Sequence, residues 1–151
     1  MLQEIISISK FIISIVTASL AVFKGIAEYR KNATQKRAEY FLKTRDKIFN
    51  DPDFNKVCNA LDITPTNVAS LTVDEKETFL GYMEEIALLM YSELIPKNTV
   101  HYMFGYYAIL CWKNNVFWSN INKKHRYWSL FNKFAEEMIS IKNIDLNNVR
   151  L

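Results

Sequence analysis

Glu84 and Glu85 form the most obvious titratable pair in the chain, and paired carboxylates can shuttle a proton or hold a metal ion. On a helix, however, adjacent side chains diverge by about 100°, so these two do not converge easily on one proton or one metal. A solvated or ion-paired role stands beside the catalytic one. His101, next to Tyr102 in a strongly apolar stretch, reads either as a catalytic histidine or as a hydrogen-bonded core residue. Cys58 and Cys111 have neither Cys-x-x-Cys nor metal-ligand spacing, and they read as small apolar core residues in a reducing compartment. The sequence holds no His-x-x-Glu-His set, Gly-rich phosphate loop or Gly-x-Ser-x-Gly elbow. No nucleophile, metal or cofactor is therefore expected, and the chain reads as non-enzymatic.

Two patterns carry more information. Lys123, Lys124, His125, Arg126 and Tyr127, with Trp118 and Trp128 nearby, combine cations and rings as RNA contacts do, through phosphates and stacked bases, and they could also meet a protein partner. The bland reading of the same run is a solvated helix face or helix end. The second pattern lies at the start of the chain. Gln3, Ser7, Lys10, Ser14, Thr17, Ala21, Lys24 and Glu28 alternate at spacings of four and three, which gathers them on one helical stripe and leaves a run of isoleucine, valine, leucine and phenylalanine on the remaining surface. Small hydroxyls and amines on one seam of an apolar helix suit the wall of a water-filled pore. Gln3, Ser7, Lys10, Ser14, Thr17 and Lys24 are the expected lining.

The element that must position this seam is the apolar segment Ile5 to Phe23. At a rise of about 1.5 Å per residue it reaches about 28 Å, near the thickness of a bilayer's hydrocarbon core. Its apolar side chains contribute about −5 kcal/mol on the insertion scale, against about +3 kcal/mol if Lys10 lay at the centre; Lys10 is about four residues off centre and can partly snorkel, but the serines and threonine subtract further. A lone copy inserts marginally, so several copies that turn their seams toward one another are favoured. A plain anchor, with serines bonded to their own backbone and lysines reaching the headgroups, is the alternative. Lys24, Arg30, Lys31, Lys36 and Arg37 follow the segment with only Glu28 opposing them. By the positive-inside rule the C-terminal part then lies in the cytoplasm, with Arg30, Lys31, Lys36 and Arg37 against the membrane surface.

Beyond this segment the pattern is helical throughout. The 151 residues include only three glycines and three prolines, with 14% aromatics and a modest net charge of +3, which suits compact order rather than disorder. Tyr29, Ala33, Tyr40, Phe41, Thr44, Ile48 and Phe49 predict a buried face on a helix running from Ile26 to Asn50, with Gly25 a possible bend. Asn50 or Asp51 followed by Pro52 restarts a short helix through Phe54, Val57, Cys58 and Leu61. Asp62 to Ser70 reads as the main loop, and Thr72 with Glu75 as a capping box opening a helix through Leu94. Thr99 to Trp112 is apolar on nearly all sides and reads as the centre of a bundle. Val116 to Ile141 reads as the last helix. The expected architecture is all-α: a transmembrane helix over 1–26, a cytoplasmic helical bundle over 27–144 and a polar tail over 145–151.

An anchor leading into Tyr40-Phe41-Leu42-x-x-Arg45-x-Lys47-Ile48-Phe49-x-Asp51-Pro52-Asp53-Phe54, then Ala60-Leu61-Asp62, Glu84-Glu85-Ile86-Ala87-Leu88 and Phe104-Gly105-Tyr106-Tyr107-Ala108, resembles small single-anchor helical membrane proteins of bacteria. Within that group the chain is similar to the membrane accessory proteins of type VI-B CRISPR loci. The resemblance implies a homo-oligomeric inner-membrane pore that depolarises the membrane in antiviral defence, a divergent HEPN-like bundle, and an RNA-guided RNA nuclease or its products as partner. HEPN ribonucleases carry an arginine, four to six residues and then a histidine; neither His101 nor His125 has an arginine at that distance before it, so RNA cleavage is not expected. A membrane-tethered interaction module, docking a protein through the Tyr102 to Trp112 helix, and an RNA-binding effector are the alternatives.

Overall fold

Periodic burial accounts for each long element. The computed structural model describes the backbone of residues 2–63, 65–141 and 149, with the side chains of residues 2–13, 15, 65 and 66 outside the description. The elements are α1 (Leu2–Phe49), α2 (Pro52–Ile63), α3 (Pro65–Ala69), α4 (Val73–Tyr91), α5 (Lys97–Val100), a π-helical turn (His101–Gly105), α6 (Tyr106–Lys113), two short 3-10 turns (Phe117–Asn120 and Arg126–Trp128) and α7 (Ser129–Ser140). No strand occurs among the described residues, and the fold is all-α. The chain divides into two units, residues 1–37 and 38–151.

The first unit is a stretch of α1. Every described side chain from Ser14 to Arg37 is exposed except the half-buried Ala33. The helix runs through Gly25 without interruption. Among the described residues no helix is long and apolar enough to cross a membrane; the side chains of residues 5–13 and Ile15, within the expected span, lie outside that description.

In the second unit, Phe41, Thr44 and Ile48 of α1 are buried on one face. Tyr40 and Phe49, expected on that face, are 53% and 37% exposed, because each is one position, and so about 100°, away from the buried row. Asp51 caps α2 by accepting the Phe54 N–H at 2.9 Å, and its other oxygen accepts the Tyr82 hydroxyl at 3.0 Å. The expected loop 62–70 contains the one-turn helix α3. Thr72 and Glu75 make both bonds of the capping box at the start of α4. Rings of Phe54, Phe79, Phe117, Trp118 and Phe131 contact in sequence with centroids 5.3–5.9 Å apart, tying α2, α4, the first 3-10 turn and α7 into one core. Each buried phenylalanine contributes on the order of 1.5–3 kcal/mol.

The predicted helix from Thr99 to Trp112 is divided, with α5, the π-helical turn and α6 in succession. Val100, Phe104, Ala108 and Cys111 are buried while Tyr102 and Tyr106 are more than half exposed, so one face of this segment, rather than its whole circumference, enters the core. Tyrosine permits this because its hydroxyl prefers a wet end. Gly105 allows the close approach of α7: a Cβ there would lie 3.2 Å from the His101 ring and 3.4 Å from Met138 Sδ. The predicted helix from Val116 to Ile141 likewise resolves into two 3-10 turns and α7.

Candidate functional site

The stripe at the chain start is the first candidate. Ser14, Thr17 and Lys24 are exposed, and so are Val16, Leu20, Val22 and Phe23. The side chains of Gln3, Ser7 and Lys10 lie outside the described residues. Val16, Leu20, Val22, Phe23 and Ile26 are 47–72% exposed. A helix surface of this kind does not form a site alone; its chemistry depends on what covers it. Arg30, Lys31, Lys36 and Arg37 are all exposed. Thr34 hydrogen-bonds back to the Arg30 carbonyl at 3.0 Å.

The basic-aromatic run is split by the fold. Lys123 turns inward: its ammonium sits 3.4 Å from the Trp112 ring centroid and donates to the Trp112 carbonyl at 2.6 Å. Burial holds its pKa below the ordinary lysine value. Lys124, His125 and Arg126 remain exposed. His125 caps the second 3-10 turn by accepting the Tyr127 N–H on Nδ1 at 3.3 Å, and its ring lies 4.8 Å from that of Tyr127. Arg126 places its guanidinium 5.4 Å from the Tyr127 centroid. Beside this turn is a hollow of about 240 Å³ lined by Glu77, Asn120, Asn122, His125, Tyr127 and Trp128. Glu77 comes from α4, distant in sequence, so no local signal marks it.

Glu84 and Glu85 part as helix geometry requires. Glu84 accepts the Phe131 N–H at 3.2 Å, while Glu85 pairs with Lys47 at 3.1 Å. Burial raises the Glu84 pKa, against two backbone N–H groups that lower it. His101 Nε2 meets the Met138 carbonyl at 3.2 Å. A carbonyl only accepts, so Nε2 carries a proton, and Nδ1 is buried without a hydrogen-bond partner among the described residues. Cys58 and Cys111 are buried free thiols, and burial pushes Cys58 up to about 12, so neither is poised as a thiolate. Among the described residues no group of three or more His, Cys, Asp or Glu could hold a metal ion.

A larger cavity, about 420 Å³, is bordered by Asn55, Lys56, Asn67 and Ser70. Three of its polar side chains are engaged within the fold: Lys56 with Glu75, Asn55 with the Phe49 carbonyl and Ser70 with the Asn67 carbonyl. No protein-family model, curated protein or solved structure matches the chain significantly.

Proposed function

We propose that the protein is a membrane-anchored, non-enzymatic homo-oligomer of the bacterial inner membrane, its N-terminal helix in lipid and its second unit in the cytoplasm. The observation that carries this reading is the uncovered apolar helix surface at Val16, Leu20, Val22, Phe23 and Ile26. Apolar area left in water costs about 25 cal/mol per Å², and a bilayer removes that cost. The seam of Gln3, Ser7, Lys10, Ser14, Thr17 and Lys24 then faces other copies around a wet centre, with lysines that disfavour cations. The resemblance to type VI-B CRISPR accessory proteins supports the further reading of a depolarising pore in antiviral defence, acting beside an RNA-guided RNA nuclease, with a divergent HEPN-like bundle.

The test is light scattering of the full-length protein in detergent, with dye release from anionic vesicles. Multimers that release dye, and lose release when Lys10, Ser14 and Thr17 are changed to leucine, support the proposal. Monomers on intact vesicles overturn it. One observation favours a second reading, a membrane-tethered docking module: Tyr102 and Tyr106 stand 61% and 56% exposed on the same stretch of helix. That reading expects the triple leucine variant to keep full activity and a Tyr102→Ser, Tyr106→Ser variant to lose it.

A further inference from the structure

Three rings, a carboxylate and two amides converge on the hollow between α4 and the turn 120–128. His125, Tyr127 and Trp128 supply an aromatic border, and Glu77, Asn120 and Asn122 supply polar groups. Glu77 is exposed and has no hydrogen bond or ion pair among the described residues, so its two oxygens are open to a ligand. Asn122 spends its carbonyl on the Lys124 N–H at 3.1 Å, which leaves its amide N–H groups as donors. His125 accepts the Tyr127 N–H on Nδ1, which leaves Nε2 as its outward donor. The hollow therefore offers one anionic acceptor and neutral donors beside ring faces. Lys124 and Arg126, both exposed, flank it with positive charge.

Each feature removes some ligands. A cationic ligand would suit Glu77 alone but is repelled by Lys124 and Arg126. An apolar peptide would bury Glu77 and the two amides without partners, a desolvation that none of its own groups would offset. A planar base attached to a phosphate satisfies all of them, through stacking, edge hydrogen bonds and phosphate pairing. Among bases, guanine alone presents two adjacent N–H groups, N1 and N2, on its pairing edge, with an acceptor, O6, beside them. A carboxylate accepts such a pair in a bidentate, charge-assisted arrangement. Adenine and cytosine place a ring lone pair next to their amine, and uracil flanks its single N–H with two carbonyls, so each sets a lone pair against the Glu77 carboxylate.

We propose that this hollow binds a guanine base, as a free nucleotide or within single-stranded RNA. Glu77 accepts from N1 and N2, Asn122 or His125 donates to O6, and Lys124 and Arg126 meet the phosphate. All of the hollow's lining residues belong to the second unit.

The test titrates full-length protein in detergent with GMP and AMP, following tryptophan fluorescence, and with fluorescein-labelled short RNAs with and without guanine, following anisotropy. GMP or guanine-containing RNA should bind at least about fivefold more tightly than its guanine-free counterpart, the low end of what a bidentate base contact discriminates. Glu77→Gln should abolish this preference, and Tyr127→Leu should weaken all binding. Lys124→Ala with Arg126→Ala should weaken RNA and GMP but leave guanosine unaffected. Tight RNA binding with weak GMP binding assigns the base to RNA; the reverse assigns a free nucleotide. Equal affinity for both bases, a preference that survives Glu77→Gln in a variant with unchanged circular dichroism, or no saturable binding of any probe overturns the proposal.

Discussion

The carboxylate of Glu84, on α4, accepts the backbone N–H of Phe131 at 3.2 Å, in the first turn of α7. Trp128 precedes that helix and offers no side-chain cap. Glu84 thus supplies from a neighbouring helix what a serine or aspartate ordinarily supplies from the chain itself, an acceptor for free N–H groups and a negative charge at the positive end of the helix dipole. The adjacent Glu85 turns to Lys47 on α1. Two carboxylates one residue apart therefore fasten α4 to two different helices.

Removing that trans cap should cost stability. Glu84→Ala is expected to lower the unfolding free energy by about 1–2 kcal/mol, measured by urea denaturation, because it leaves first-turn N–H groups without an acceptor. Glu84→Gln keeps one acceptor oxygen and should lose less. The pH dependence has a definite sign. Burial raises the folded-state pKa above the ordinary carboxylate value of 4.5, so the native state takes up the proton first. The stability of the protein relative to Glu84→Gln should rise as pH falls through the folded pKa toward 4.5.

Gly105 and Gly81 offer an internal comparison. Both lie in helical backbone, but a Cβ at Gly81 meets nothing within 4 Å, whereas one at Gly105 presses on the His101 ring at 3.2 Å. That ring is held by the Met138 carbonyl and cannot easily give way. Gly81→Ala should gain about 0.5–1 kcal/mol through helix propensity and a less flexible unfolded chain. Gly105→Ala should lose stability instead. Thermal melts of the two variants side by side test the assignment, and equal gains would show that the His101 contact is soft.

What could be read in the sequence follows from how local each signal is. The Thr72–Glu75 capping box and the Asp51–Pro52 helix start are set by neighbours within three residues, and both are present. The buried faces of α2, α4 and α7 follow from helical spacing. The π-helical turn and the 3-10 turns were not legible, because they depend on contacts between distant elements: Gly105 against Met138, and Trp118 donating to the Cys111 carbonyl at 2.9 Å. In the basic run, composition alone did not separate Lys123 from Lys124. Glu77 escaped notice because the residues it joins begin more than forty positions later.

Lys76 is 1% exposed, with its ammonium 5.6 Å from the Phe117 ring. Burial lowers its pKa below 10.5, so the charged form destabilises the folded chain at neutral pH. Lys76→Met should stabilise the protein by about 1–3 kcal/mol, the usual sign when a desolvated charge gives way to an apolar chain of similar length. The gain should shrink as pH rises from the folded pKa toward 10.5, because the native protein sheds this proton before the unfolded chain does. Denaturation at neutral and alkaline pH checks it; a gain that does not change with pH would mean that shape, not charge, is responsible.

Lys123 and Lys124 adjoin in sequence and should respond unequally to substitution. Lys123→Met keeps most of the aliphatic stem but removes the cation over Trp112 and the bond to the Trp112 carbonyl. The loss should reach about 1–3 kcal/mol, since a cation–π contact at 3.4 Å and a charged hydrogen bond disappear together and outweigh the relief of the desolvation that lowers this lysine's pKa. The Lys123 carbonyl also accepts from Asn132 at 2.8 Å, so the change should loosen the start of α7 and show as faster amide exchange there. Lys124→Met touches nothing buried and should stay within about 0.5 kcal/mol of the parent. Its effect belongs to anion binding instead, which separates the lysine that holds the turn together from the one left to meet a ligand.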